Sequence, residues 1–383
     1  MNAEKLEQLY EYAVNIRRQI HQYPEVGFDL PRTTALIADE LRRMGIDHTE
    51  KYGRCSLSAD LGQGDLCIAL RADTDALPVE EKTGLPYASR IPGQMHACGH
   101  DSHTAVLLAV AKYLKEHEAG LKCRVRLICQ PSEEGAVSGA KMMVDNGVMD
   151  GVDLIIATHC DNSFDAGLIG VHPGDYQAAC IPATIRFIGK AAHAAIPEGG
   201  IDAIGMAAEA YAEMKKMVAR EAEDIRYIWS VGRFQGGHVH NVIADKCEMD
   251  ISFRFYDMDF ADRVGRQVFA ICGNAAARYG GKVEYDWHMS TGPVINDRAL
   301  TEIFRTIAIN SGLDVCDIPS RMSSEDFGWY LEKAPGMLFR FGTRNETLGC
   351  TALAHKSEFC MDESGMKPAI QAFIAFVSNY EGR

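Results

Sequence analysis

Three short apolar runs in the first half of the chain limit its fold more than any other feature. They lie at 67–70, 125–129 and 154–157, and only Arg126 interrupts them. Each is too short for a buried helix and lacks the polar alternation of a half-exposed strand. Such runs form strands when both faces of a sheet are covered. Helical spacing fills the gaps, at 102–117 and 137–147. Two further helices open the chain: one over 3–22, and one that follows Pro31, carries Leu36, Ile37, Leu41 and Met44 on one face, and stops near Gly45. Strands that alternate with helices in this way predict an α/β fold with a mostly parallel sheet.

The pattern changes near residue 179. Segments 181–189 (IPATIRFIG) and 246–255 (KCEMDISFRF) alternate apolar with polar residues, as half-buried strands do, and helical spacing appears at 200–219 and 259–279. Two strands and two helices predict a small α+β unit. After Gly292 the chain returns to helix, an apolar strand at 337–341 and a last helix at 366–379. The expected organisation is a discontinuous domain, 1–178 with 293–383, interrupted by an inserted domain at 179–292. A length of 383 residues accommodates two or three domains.

Composition removes several classes. With 47% hydrophobic and 24% charged residues the chain is not a disordered one. A formal charge of −14 argues against a nucleic-acid partner. No apolar run approaches the roughly 18–20 residues that cross a bilayer, so no membrane role is expected. The start, MNAEKLEQLYEYAV, lacks a signal-peptide pattern, and the twelve cysteines include no CxxC pair. Reduced thiols in the cytoplasm are the expectation.

Chemistry concentrates in MHACGHDSHT at 95–104, where Cys98, His100, Asp101 and two more histidines precede a helix. Thiolate and imidazole are usual ligands for zinc and its neighbours. C-x-H alone is not a tetrahedral zinc spacing, and no second local element completes a structural site. In QPSEEG, Glu133 and Glu134 follow an apolar strand. That places two carboxylates at the strand edge where open α/β sheets bind ligands. Asp73 and Asp75 end another strand, His159 ends a third, and His355 precedes the last helix. Each is weak alone; together they converge on one rim of a parallel sheet.

Those segments, with RRQIHQYPEVGF (17–28), LRADTDALPVEE (70–81), GKAAHAAIPEGG (189–200), HNVIADK (240–246), SSEDFGW (323–329) and LAHKSEF (353–359), resemble the M20 metallopeptidase superfamily nearly end to end. The closest likeness is to its amidohydrolase branch of hippurate hydrolases, N-acyl-amino-acid deacylases and auxin-conjugate hydrolases. The resemblance implies a zinc-exopeptidase-like catalytic domain with an inserted lid or dimerisation domain, hence a homodimer or higher homo-oligomer. It implies two divalent metal ions, Zn or Mn first and Co or Ni as alternatives. Their ligands by position are Cys98, His100, Glu134, His159 and His355. Glu133 takes the role of general base, His193 that of oxyanion stabiliser, Asp73 that of a partner behind the ligands. Asn241 and Arg254 fall at substrate-binding positions.

The implied reaction is amide hydrolysis of N-acyl amino acids or similar small conjugates. A dipeptidase or aminoacylase with the same machinery is the near alternative. A catalytically idle metal-binding homologue is the distant one, and a Cys98–His100 nucleophile is a competing enzyme reading. Several residues depart from the branch pattern: 160–163 after His159, Glu198, Ala244, Arg340 in a normally apolar strand, and Lys356. Arg340, Arg344 and Lys356 are expected to be solvated surface charges, with recognition of an acidic substrate as the alternative.

Overall fold

The computed structural model describes residues 1–382 and divides the chain into two compact units. The larger contains 1–176, 294–320 and 326–383; the smaller contains 177–293 and 321–325.

The larger unit is built on an eight-stranded mixed sheet. Its four central strands, Arg124–Gln130, Cys67–Asp73, Leu154–Asp165 and Gly336–Arg344, are neighbours in that order and run parallel. Leu57–Leu61 extends one side antiparallel, followed by His48–Thr49; Leu168–Val171 and Asp314–Asp317 extend the other. All seven residues of Cys67–Asp73 are at most 1% exposed. Successive side chains on a strand point to opposite faces, so both faces are covered.

The helix His100–Glu116 carries the apolar run 105–111, buried throughout. The first helix, Ala3–His21, contributes Leu9, Ala13, Ile16 and Ile20 to the same core as the last, Met366–Asn379. Asn2 caps the first helix, accepting from the Lys5 amide. Among the described residues no helix is long and apolar enough to cross a membrane.

The smaller unit is a four-stranded antiparallel sheet in the order Ile228–Gly236, Lys246–Phe255, Ala179–Ile188, Lys282–Trp287, with two helices, Ala203–Ala222 and Met258–Tyr279. Ile185, Phe187, Met249, Ile251 and Phe253 meet Met206, Met214, Val264 and Val268 in its core. Asp202 and Asp257 cap the two helices. The sequence predicted two strands; the structure has four. The additional pair are the sheet's edges, whose residues alternate only between half-buried and exposed, and Gly232 sits where the register of Ile228–Gly236 shifts. Segment 321–325 joins this unit because Arg254 donates to the Met322 carbonyl and Tyr256 to that of Arg321.

Candidate metal centre

The site begins where the parallel sheet splits. Cys67–Asp73 pairs with Arg124–Gln130 along its whole length, but with Leu154–Asp165 only as far as Arg71 and Ala157. Beyond that point the strand bearing His159 pairs with Gly336–Arg344. The carboxyl ends of these strands are the usual place for a ligand in an open α/β sheet.

Near these strand ends the larger unit brings all five expected ligands together. Cys98, His100 and His159 offer donor atoms within 4.8 Å of one another, as do Cys98, Glu134 and His355, and His100, Glu133 and Glu134. Cys98 Sγ lies 3.3 Å from His159 Nε2, and His355 Nε2 lies 2.9 Å from Glu134 Oε1. Gly99, between Cys98 and His100, has φ +82°, and a Cβ there would meet Cys160 Sγ at 2.3 Å. The spacing therefore requires glycine at that position. His355 reaches the site on a loop whose backbone N–H donates to the Ala97 carbonyl.

Neighbouring groups turn the imidazoles so that one nitrogen faces the centre. His100 Nδ1 lies 2.9 Å from the Asp75 carbonyl and His159 Nδ1 lies 2.7 Å from the Cys160 carbonyl. Donation there leaves Nε2 with a lone pair in each ring. His100 Nε2 is buried and has no hydrogen-bond partner among the described residues. An orphaned buried nitrogen beside a thiol, a carboxylate and two more imidazoles fits divalent cations of borderline softness. Burial, then the charges of Glu134 and Glu133, pushes the Cys98 thiol well up, so its thiolate needs positive charge beside it. Burial opposes charge on His100, yet Asp73 and Asp75 raise it to about 10, so the Nε2 lone pair becomes free for a cation once that ring gives up a proton. Burial would raise the Asp73 carboxyl, but His100, Arg71 and His103 hold it well below the usual range.

Glu133 stands beside the ligands, its Oε2 3.8 Å from His100 Nε2. The Glu133 and Glu134 amides donate to the two oxygens of Asp75, at 2.9 and 3.1 Å. One carboxylate thus fixes the turn that separates the two glutamates. Sequence reading gave Asp75 no role, because the contact spans 58 residues. It also passed over His103, whose Nδ1 lies 2.5 Å from Asp73 while Nε2 accepts from the Cys160 amide. Arg71 was missed too: fully buried, it donates to Gln130, Asp73 and Asp326. The apolar run around these residues marked a strand and hid them.

The remaining predicted residues, His193, Asn241 and Arg254, belong to the smaller unit. His193 is exposed and lies on a two-residue strand paired with Val242–Ile243. The Asn241 carbonyl accepts from the Ala194 amide at 2.9 Å, so these two positions are adjacent. Arg254 donates to the Met322 carbonyl and Ser324 Oγ, at 3.0 Å each. The expectation of solvated charge fails for Arg340, which is 6% exposed. It is the register partner of His159, donates to the Tyr176 hydroxyl at 2.7 Å, and places Nη1 3.1 Å from His159 Nδ1. Neighbouring positions of parallel strands share a face, which draws the guanidinium under the sheet's rim. Lys356 is exposed, and Arg344 is half-buried against Asp165.

Known proteins share this arrangement of chain. An N-acetyl-L-cysteine deacetylase of Bacillus subtilis is 38% identical, over 89% of this chain and 83% of its own length. An IAA-amino acid hydrolase, ILR1-like 4, of Arabidopsis thaliana is 32% identical, over 94% of this chain and 83% of its own. The crystal structure of the Bacillus subtilis YXEP protein, described as a dinuclear metal binding peptidase from the M20 family, superposes with a TM-score of 0.84 at 31% identity, covering 97% of this chain and 98% of that one. Residues 69–379 match the profile of peptidase family M20/M25/M40. The chain therefore belongs to peptidase family M20/M25/M40 and is a hydrolase of its metal-binding, amidohydrolase kind.

Proposed function

We propose that this hydrolase cleaves the amide bond of N-acyl amino acids or similar small conjugates, with Glu133 as general base. Its cations would be two divalent ions, Zn or Mn first, held by Cys98, His100, Glu134, His159 and His355. When bound, such ions supply Lewis acidity that acidifies water and polarises a carbonyl. The observation that carries the proposal is the division of labour in the Glu133–Glu134 pair. Glu134 pairs with His355, while Glu133 sits against His100 on a turn fixed by Asp75.

In the proposed reaction the oxygen of a water attacks the amide carbon and Glu133 takes its proton. Glu133 then returns that proton to the amide nitrogen as the C–N bond breaks, and the acid's remaining proton passes to the amine, giving a carboxylate and an ammonium group. His193 is proposed to donate to the developing oxyanion, and Asn241 and Arg254 to contact the substrate. A pure metal-binding protein has no use for a base beside its ligands. The named relatives act on acyl and amide conjugates, which supports this substrate class.

Glu133→Gln tests the assignment. Metal content by elemental analysis should stay at the wild-type value, while turnover of N-acyl amino acids falls by at least about a hundredfold. Undiminished turnover in that variant removes Glu133 as the base.

A further inference from the structure

Two sulfurs outside the metal centre lie unusually close. Cys350 and Cys360 face each other with 3.3 Å between their Sγ atoms. Cys350 is buried and Cys360 half-buried. Cys55 and Cys316 are also half-buried, but among the described residues only Cys360 of these three has a second sulfur at contact distance. Hydrogen bonds on either side of the pair hold this juxtaposition. Asn345 and Cys350 exchange backbone hydrogen bonds at 3.0 and 2.9 Å. Asn162 donates to the carbonyls of both Ala352 and Cys360, at 2.7 Å each. Asn345 Nδ2 donates to Asp362 at 2.6 Å. The two ends of the loop 350–360 are thus held together, and His355 lies on that loop, five residues from each cysteine.

We propose that Cys350 and Cys360 form a reversible peroxide-oxidisable dithiol site, whose disulfide staples the loop that carries His355. Cys360 is the attacking sulfur and Cys350 the resolving one. Sharing a hydrogen with Cys350 brings the Cys360 thiol down to about 7 and pushes that of Cys350 up, and the thiolate is the nucleophile. The Cys360 thiolate attacks one peroxide oxygen, the O–O bond breaks, and hydroxide leaves to be protonated to water. Cys350 then attacks the sulfenic sulfur, the S–O bond breaks, and a second water departs with the Cys350 proton. Two thiols are oxidised to one disulfide and one hydrogen peroxide is reduced to two waters. Bonding needs the sulfurs to close by only about 1 Å, to the usual disulfide length of about 2 Å. The site stands apart from the hydrolytic reading, since neither sulfur has a part in hydrolysis.

The test treats the full-length, metal-replete protein with one equivalent of hydrogen peroxide, followed by alkylation, trypsin and mass spectrometry. Cleavage after Lys356 separates the two cysteines onto segments 345–356 and 357–383, each with a single cysteine. The expected main product is a disulfide joining those segments, lost on treatment with dithiothreitol. Oxidation that falls first on other cysteines, or on Cys360 without cross-linking, overturns the site. In Cys350→Ser the reaction should stop at a dimedone-reactive sulfenic acid on Cys360; absence of that adduct overturns the assigned roles. The rate should rise with pH as the Cys360 thiol ionises, and a rate indifferent to pH overturns its thiolate as the nucleophile. Amide exchange over 351–359 should slow after oxidation; unchanged exchange overturns the staple.

Discussion

Arg17 shows how much one buried charge can hold in place. It is fully buried, with Nε 3.1 Å from Asp101 Oδ2 and Nη1 2.7 Å from Glu363. His21 adds its Nδ1 to the same Asp101 oxygen at 2.8 Å. Burial would raise the Asp101 carboxyl, but Arg17 and His21 hold it well below its usual range. Arg17→Met should cost about 3–5 kcal/mol, because it leaves Asp101 as a buried charge short of its partner. Chemical unfolding at neutral pH reads that loss. A carboxyl depressed in the folded state contributes above its unfolded value of about 4 and loses that contribution as pH falls further. The gap between variant and wild type should therefore narrow in acid. At this scale the sequence was legible where chemistry is local. Cys98-x-His100 and Glu133-Glu134 stand out as local clusters, each weak alone, and it was the family resemblance that implied ligand roles for Cys98, His100 and Glu134. Arg340 was not legible, because its burial follows from register with His159, which no short motif encodes.

Turns that present the proposed ligands depend on groups from other elements. The two amides donating to Asp75 make the loop after Arg124–Gln130 an extension of the loop after Cys67–Asp73. Asp75→Ala should remove two charge-assisted hydrogen bonds worth about 1.5–3 kcal/mol each. It should also lower metal occupancy on equilibrium dialysis, as the turn carrying Glu134 slackens. Asp75→Asn keeps one acceptor and should retain more metal; equal retention by both variants would refute a role in fixing the turn. Elements themselves were legible in proportion to burial. The buried central strands of the larger unit advertised themselves as apolar runs. The edge strands Ile228–Gly236 and Lys282–Trp287 did not, since one flank of each lacks a partner and their alternation is faint.

Across the whole molecule the division of residues between units yields a separable prediction. All five proposed ligands and Glu133 belong to the larger unit, whereas His193 belongs to the smaller. His193→Ala should therefore leave metal stoichiometry unchanged while the maximal rate falls by about a hundredfold or more, equivalent to about 3 kcal/mol of oxyanion stabilisation. Elemental analysis and kcat on one preparation check it, and a fall in metal content alongside rate would show that His193 acts on the centre itself. The smaller unit, 177–293, contains the stretch in which the hydrophobic period changes. The short return at 321–325 carries no such period, and its place follows from what Arg254 and Tyr256 reach.

The interruption of the larger unit also has a temporal side. A chain emerging from a ribosome displays Cys98, His100, Glu134 and His159 long before His355, with the whole of 177–293 between them. A nascent chain halted before residue 355 holds four donors and lacks the fifth. Completion of the proposed centre therefore waits on the return of the chain to the larger unit after 177–293.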